Sequence, residues 1–347
     1  MLTVASVVGC RGILTLLRTP SNIYEHAYAY IVVIFAGIPT VFLYNMVSGV
    51  IRSLGDSKTP VYFLVVSAVI NIILDFVFIL VFKMGVAGAA WATDISQLIS
   101  GVACYVYMNK KYDILKFQKQ EKKFKKVYVK NLCINGIPMG LQFSITAIGT
   151  IIVQSAVNIY GPVHMAGFSA AGKIQNIFAT VFTAFGATIA TYVGQNRGAG
   201  KMDRVKQGVR YTQMMVLGWS VFVMFLMFFF GKYLTYLFVD PSEQDVVNVS
   251  VTYFRTVFWA YPFLGSIFLY RNTLQGMGYG LVPMLGGVFE LVARTGIVVL
   301  IAGHTSFAGV CMADPTAWIA ALIPLIPYYF HVMKKYKNKS QVQAVED

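Results

Sequence analysis

The stretch LVVSAVINIILDFVFILVF, residues 64–82, decides the fold class of this chain. It holds nineteen residues and a single charged side chain, that of Asp75. A hydrocarbon core about 30 Å thick takes roughly 20 consecutive apolar helical residues to cross. Over all 347 residues 57% are hydrophobic and 12% charged, whereas soluble domains carry about 25% charged residues. The sequence therefore predicts an integral membrane protein with a carboxyl group inside one of its spans.

Apolar blocks of spanning length recur along the whole chain. We count ten of them, at residues 1–17, 27–51, 61–82, 86–108, 131–159, 166–195, 211–238, 249–270, 281–302 and 306–333. The blocks are continuous runs rather than short alternating segments, and lipid requires every backbone polar group to be paired within the protein. Helices are therefore favoured over a barrel, and the predicted fold is an all-α polytopic helical bundle.

The net charge of +14 follows a topological pattern. Most lysines and arginines lie in alternate loops, at residues 52–58, 110–130, 197–210 and 334–339, while the intervening loops hold very few. By the positive-inside rule the basic loops are cytoplasmic. The basic excess thus indicates orientation in a membrane, which we expect to be the cytoplasmic membrane of a bacterium, and no nucleic-acid partner is expected.

No motif of an enzyme or of a metal site is found in the sequence. The four cysteines lie far apart, mostly inside apolar blocks, which predicts neither a disulfide framework nor a zinc cluster. The segment NRGAGK, residues 196–201, lacks the first glycine of a phosphate-binding loop, and Met202 stands where Ser or Thr is needed. We expect no enzymatic activity and no cofactor.

The chain repeats itself at an offset near 222 residues. At offset 223, Pro39 meets Pro262 and Gly55 meets Gly278. Six blocks separate equivalent positions, so both copies have the same orientation, as in transporters built from parallel repeats with the substrate site between the halves. Counterparts of blocks 131–159 and 166–195 would precede Met1, so we expect a full copy to have six plus six helices, of which this chain has about ten.

The repeat sets the expected domain organisation. The four predicted segments are an incomplete first lobe at 1–108, a basic cytoplasmic linker at 109–130, a second lobe of six helices at 131–333 and a cytoplasmic tail at 334–347.

Two long runs resemble a known family. VSGVIRSLGDSKTPVYFLVVSAVINIILDFVFIL at 47–80, followed by GVAGAAWATDISQ at 85–97, and the later RNTLQGMGYGLVPM at 271–284 resemble the multidrug and toxic compound extrusion (MATE) family, in its MepA-like bacterial branch. The resemblance implies two six-helix lobes around a central cavity and alternating access. It also implies export of small cationic amphipathic compounds in exchange for sodium ions or protons, by a protein that we expect to be monomeric.

Asp75 is the predicted site of ion coupling. A carboxylate in a spanning helix costs roughly 2.5–3.5 kcal/mol on insertion scales and usually faces a cavity or a partner. No basic residue lies three or four positions from Asp75, and Asn71 lies one turn before it. An unpaired carboxyl suits proton coupling, and an ionised one beside Asn71 suits sodium. The alternative is a hydrogen bond to another helix of the lobe.

Three other acids lie within apolar blocks. Glu290 and Arg294 are four residues apart and are expected to pair, either as a structural ion pair or as lining of the cavity. Asp94 is expected to have an interfacial or lobe-internal role. Asp314 directly precedes Pro315 and is expected to cap a helix that restarts there.

Further polar residues of the second lobe are candidates for lining the cavity, chiefly Gln142 and Asn158. The resemblance would place the acid of a sodium-coupled branch at Thr146, so that ion site is not expected here. Two alternatives stay open. One is a flippase for lipid-linked oligosaccharides, which would need a more cationic cavity than Arg294 alone provides, and the other is a non-functional fragment.

Overall fold

The computed structural model describes residues 2–16, 19–116, 125–301 and 306–346. In these ranges the chain is helical and contains no β-strand, which confirms the all-α prediction. The helices are α1 (Leu2–Leu16), α2 (Ser21–Ala36), α3 (Ile38–Ser53), α4 (Lys58–Phe76), α5 (Gly85–Lys111), α6 (Lys126–Asn158), α7 (Pro162–Gly198), α8 (Met202–Thr235), α9 (Gln244–Val257), α10 (Tyr261–Gly276), α11 (Leu281–Ile301), α12 (Phe307–Cys311) and α13 (Ala313–Glu346).

Six helical segments of the described residues are long and apolar enough to cross a membrane. A seventh span is added if α2 and α3, which meet at a bend of 41°, cross together. The predicted block 86–108 lies in α5, which carries Asp94 and several serines, and block 249–270 is divided between α9 and α10 by a 3₁₀ turn. The chain is therefore a multi-pass membrane protein.

The chain divides into two compact units, residues 1–124 and 125–347. In the first unit α2, α3 and α4 pack against α5, and a small core forms around Val47, Ile51 and Cys104. In the second unit α11 packs against α6 and α13, while α10 packs against α7 and α8 around a larger core.

Residues matched by the sequence repeat have the same backbone conformation in the two units. Gly55 and Gly278, which match at offset 223, both have positive φ, +92° and +77°. Pro39 lies in the first turn of α3 after the bend at Gly37, and Pro262 lies in the first turn of α10 after the 3₁₀ turn. Proline tolerates the first turn of a helix because its missing N–H would be unpaired there. The matched prolines and glycines thus fix one helix break and one tight turn in each unit.

Asp56 holds the turn between α3 and α4 against the end of α5. Its carboxylate accepts hydrogen bonds from Thr59 N at 3.0 Å and Thr59 Oγ1 at 2.8 Å. It also accepts from Tyr112 OH at 3.1 Å, Tyr107 OH at 3.3 Å and Lys111 Nζ at 3.1 Å. The backbone N–H of Thr59, followed by these side-chain donors, holds the pKa of Asp56 below its ordinary value despite partial burial. Asp56 is therefore ionised throughout the neutral range and forms an ion pair with Lys111.

Several helices extend beyond the predicted blocks, among them α6 and α13. Helix α6 begins at Lys126, inside the stretch expected to be a linker, and α13 continues to Glu346 through the expected tail. The α13 extension is rich in Lys and Gln, and neither extension contains a glycine or a proline. Good helix formers continue a helix once packing has nucleated it, so the ends of apolar runs were poor markers of helix ends.

Candidate functional site

Asp75 lies in a groove on the surface of the first unit. The groove has a volume of about 280 Å³ and is lined by Ile72, Asp75, Phe76, Ile79 and Leu80. Asp75 Oδ1 is buried and has no hydrogen-bond partner within the described part of the chain. An unpaired buried carboxyl oxygen is costly and is satisfied by a proton, a cation or a donor that arrives from outside. The groove therefore presents a carboxylate ready to take up such a partner.

A π-helical turn follows directly after Asp75 on the same helix. It comprises Val77–Val81 and ends before Lys83, a non-glycine residue with φ of +54°. Turns of this type are rare and recur at functional sites, because they displace the backbone by one residue and leave the helix more easily deformed. Asp75 thus lies where α4 changes its geometry.

Asn71 contacts α5 rather than Asp75. Its Nδ2 lies 3.5 Å from Thr93 Oγ1, at the outer limit of a hydrogen bond, and Thr93 in turn donates to the carbonyl of Ala89 at 3.0 Å. Asn71 was expected to lie beside Asp75, whereas its contact with Thr93 was not expected. A lone hydroxyl beside Asp94 gives no signal of its own, and only the packing of α4 on α5 singles it out.

Asp94 is buried at the bend between α2 and α3. Only 6% of the residue is exposed. Its carboxyl group occupies the space beside Gly37, where an added Cβ would lie 1.9 Å from Asp94 Oδ1. Asp94 therefore lies inside the first unit, beside the break between α2 and α3. Only glycine leaves room for Asp94 at this bend.

The second unit contains a network of four buried charges from α10, α11 and α13. Glu290 Oε1 lies 3.1 Å from Arg294 Nη2, and Glu290 Oε2 lies 3.3 Å from Arg271 Nη2. Arg294 Nη2 also contacts Asp314 Oδ1 at 3.2 Å. The two carboxylates and two guanidinium groups have a formal charge of zero, so the cost of burying each ion is offset by its neighbours.

Asp314 belongs to this network, contrary to the expectation that it caps a helix. One carboxylate oxygen contacts Arg294, and the other accepts a hydrogen bond of 2.7 Å from Tyr253 OH. The same hydroxyl also contacts the side-chain amide of Gln175 of α7, and its single proton is donated to one of the two groups at a time. The ion pair with a buried guanidinium outweighs a cap, because hydrogen bonds between two charged groups are the stronger ones.

The second unit holds a second arginine among its packed helices besides Arg294. Arg271 is buried in α10 and pairs with Glu290. The apolar block predicted at 249–270 ended one residue before Arg271, so Arg271 was not among the candidate site residues. Helix α10 in fact continues to Gly276.

The network borders a cavity of about 260 Å³ in the second unit. Polar groups of six helices and several aromatic rings surround it. Its lining includes Thr146, Thr150, Phe168, Gln175, Leu264, Phe268, Arg271, Glu290, Arg294, Asp314 and Trp318.

The two amides singled out in the sequence lie elsewhere. Gln142 is buried between α6 and α10, where its Oε1 accepts a hydrogen bond of 3.2 Å from Gln275 Nε2. Asn158 is exposed, and its Oδ1 accepts from Gln154 Nε2 at 3.2 Å. Neither residue borders the cavity beside the charge network. Within the described ranges no group of three or more His, Cys, Asp or Glu side chains could hold a metal ion.

Comparisons with known proteins agree with this architecture. The MatE family model matches residues 1–77 and 138–323. The chain is 34% identical over 270 residues to the Probable multidrug resistance protein YpnP of Bacillus subtilis, covering 77% of this chain and 59% of that relative. It is 27% identical over 355 residues to the Probable multidrug resistance protein YoeA of Bacillus subtilis, covering 99% of this chain and 76% of the relative.

Solved structures share the fold. One, described as the outward-facing conformation of a multidrug resistance MATE family transporter of the MOP superfamily, superposes with a TM-score of 0.88 at 19% identity. The match covers 97% of this chain and 76% of that one. A second, the crystal structure of MATE in the bent conformation, gives a TM-score of 0.89 at 18% identity.

Proposed function

The chain belongs to the MatE family, and from that premise we propose that it acts in drug efflux, as a secondary antiporter of the cytoplasmic membrane. Its cargo would be small amphipathic organic cations, exported in exchange for protons or sodium ions. The relatives named above are multidrug resistance proteins by their descriptions, and the chain spans 59% of the length of the first. We propose a transporter rather than an enzyme or a nucleic-acid-binding protein.

The observation that carries the coupling proposal is the unpartnered carboxyl oxygen of Asp75. A proton neutralises such a group, and a sodium ion coordinates it through oxygen, so either cation binds at little cost to the surrounding structure. Glu290 and Asp314, by contrast, have each oxygen occupied by an arginine or a tyrosine. A carboxylate already paired with a buried arginine exchanges its partner only at high cost. Asp75 is therefore the favoured coupling residue.

In the proposed mechanism the ion and the cargo compete. Uptake of a proton or sodium ion at Asp75 changes the charge at the end of α4, beside the deformable π-helical turn Val77–Val81. The change in charge favours repacking of this turn, which lowers the affinity for a cationic cargo and releases it. A ligand shifts a conformational equilibrium only through a difference in affinity between the states, and the charge on Asp75 supplies that difference.

Transport by proteoliposomes that contain the full-length protein tests the coupling role. We expect Asp75→Asn to abolish uptake of a fluorescent organic cation driven by an imposed proton or sodium gradient, and Asp75→Glu to retain part of it. Asp113→Asn is the matched control, because Asp113 is an exposed residue outside the spanning helices that pairs with Lys116 at the surface. Undiminished gradient-driven transport by Asp75→Asn, at equal protein content, would refute the assignment.

An oligosaccharide flippase is not favoured by the second unit. Such a cargo carries a pyrophosphate and calls for uncompensated positive charge. Arg271 and Arg294 are matched by Glu290 and Asp314, so the network offers no net positive charge to a polyanion.

A further inference from the structure

Helix α8 is longer than the hydrocarbon core of a membrane is thick. Its 34 residues, Met202–Thr235, measure about 50 Å at roughly 1.5 Å per residue, against about 30 Å for the core. The 21 residues 211–231, between Arg210 and Lys232, include no charged side chain, and a helix of that length covers about 30 Å. Arg210 therefore lies at one boundary of the core and Lys232 at the other.

One face of α8 is apolar and exposed along this whole stretch. Spacings of three or four residues place its side chains on one side of the helix. They are Met214, Leu217, Val221, Phe225 and Phe228, and each is between 42% and 62% exposed. The opposite side of α8 is buried, and the helix packs against α7, α9 and α10. The exposed face is therefore open to the acyl chains of lipids.

Two basic side chains continue the same face beyond the core. Arg210 lies four residues before Met214, and Lys206 lies four residues before Arg210, so both share the side of the apolar residues. Both are exposed, and neither forms an ion pair with any residue that the structure describes. That includes Asp203, the acid nearest to them in the sequence. Two unpaired cations at this depth suit a phosphate group, to which an arginine can donate two parallel hydrogen bonds.

We propose that this face of α8 binds an anionic glycerophospholipid, with Arg210 and Lys206 on its phosphate and its acyl chains along Met214–Phe225. The ammonium group of a zwitterionic headgroup would be repelled by the same two cations, so a lipid with net negative charge is favoured. By the positive-inside rule the lipid belongs to the cytoplasmic leaflet. The surface is separate from Asp75 and from the buried charge network, so this binding goes beyond the proposed function and does not depend on it.

Native mass spectrometry of the purified full-length protein in detergent tests the proposal. The probes are dioleoyl phosphatidylglycerol and dioleoyl phosphatidylcholine in equal amounts, which have the same chains and differ in headgroup charge. We expect the first lipid adduct to favour phosphatidylglycerol by at least about fivefold, the effect of one basic residue beside an anionic lipid. Equal binding of the two lipids would overturn the proposal. So would displacement of phosphatidylglycerol by glycerol 1-phosphate at equal concentration, or a lipid-free dimer, in which a second copy of the chain covers this face.

Two pairs of basic residues provide matched variants. Lys206→Gln combined with Arg210→Gln should lower the preference for phosphatidylglycerol at least about fivefold. Lys334→Gln combined with Lys335→Gln removes the same charge from exposed positions of α13, but neighbouring residues of a helix point about 100° apart and do not converge on one phosphate. This control should change the preference less than about twofold. Equal losses in the two double variants would mean attraction by net charge alone and would contradict the assigned site.

Discussion

Glu290→Gln should destabilise the second unit more than any other single change in its charge network. Glu290 contacts both arginines, at 3.1 and 3.3 Å, and its side chain is 6% exposed. Glutamine keeps the shape but removes the charge, which leaves two buried guanidinium groups facing the single carboxylate of Asp314. Two opposite unit charges about 4 Å apart attract each other with an energy of about 4 kcal/mol at an effective dielectric constant of about 20. Two such interactions are lost, while the cost of burying the Glu290 charge is recovered.

The expected net loss is about 3–5 kcal/mol in the free energy of unfolding, which is the usual effect of removing one partner from a buried ion pair. The measurement is denaturant-induced unfolding in mixed micelles at pH 7. Glu243→Gln is the control, because it makes the same chemical change on an exposed turn and should stay within about 0.5 kcal/mol of the parent protein.

A double-mutant cycle decides whether the charges are responsible. Arg271→Gln combined with Glu290→Gln restores a neutral network of Arg294 and Asp314, so the double variant should be more stable than the sum of the single effects predicts, by about 1–3 kcal/mol. A loss below about 1 kcal/mol for Glu290→Gln, or effects that add within about 0.5 kcal/mol, would refute the reasoning.

Two further variants test the first unit by thermal or denaturant unfolding. Asp56→Asn removes the carboxylate that accepts from Thr59 and Lys111 and should cost about 1.5–3 kcal/mol. The pKa of Asp56 is lowered in the folded protein. The difference in unfolding free energy between the parent protein and the variant should therefore be constant from pH 7 to pH 5 and shrink only below the ordinary aspartate pKa of about 3.9. A difference that grows on acidification would contradict this prediction. Gly37→Ala should cost about 1–3 kcal/mol because the new methyl group meets Asp94 Oδ1. The added change Asp94→Ala should recover stability, and no recovery would exclude this clash as the cause.

Much of the fold could be predicted because lipid imposes a simple rule. A continuous apolar run must be a helix in the hydrocarbon core, and all ten predicted blocks fall on helices in the described residues. The repeat was also visible, since glycine and proline are needed wherever φ is positive or a helix breaks. Gly55 and Gly278 were matched from sequence alone and have the same kind of backbone turn.

The partners of the buried charges could not be predicted in the same way. A helix that is apolar around most of its circumference does not indicate which face points inward. The pairing of Glu290 with Arg294 follows from a spacing of four residues, but that of Arg271 with Glu290 joins two helices. It depends on how far α10 continues and on its rotation against α11. The same holds for Asn71, whose amide contacts Thr93 of α5 rather than the nearby Asp75.

The charge network of the second unit and Asp75 of the first unit differ in whether their carboxylate oxygens have partners, and this difference bears on which of them could exchange a cation. In the second unit every carboxylate oxygen of the network has a cationic or hydroxyl donor, so a change of protonation would leave a buried arginine uncompensated and is opposed by several kcal/mol. In the first unit Asp75 has an oxygen with no such partner, so a proton or metal cation would improve its environment. The proposed exchange of small cations is therefore assigned to Asp75 rather than to the network. The network is a neutral ion cluster that joins α10, α11 and α13.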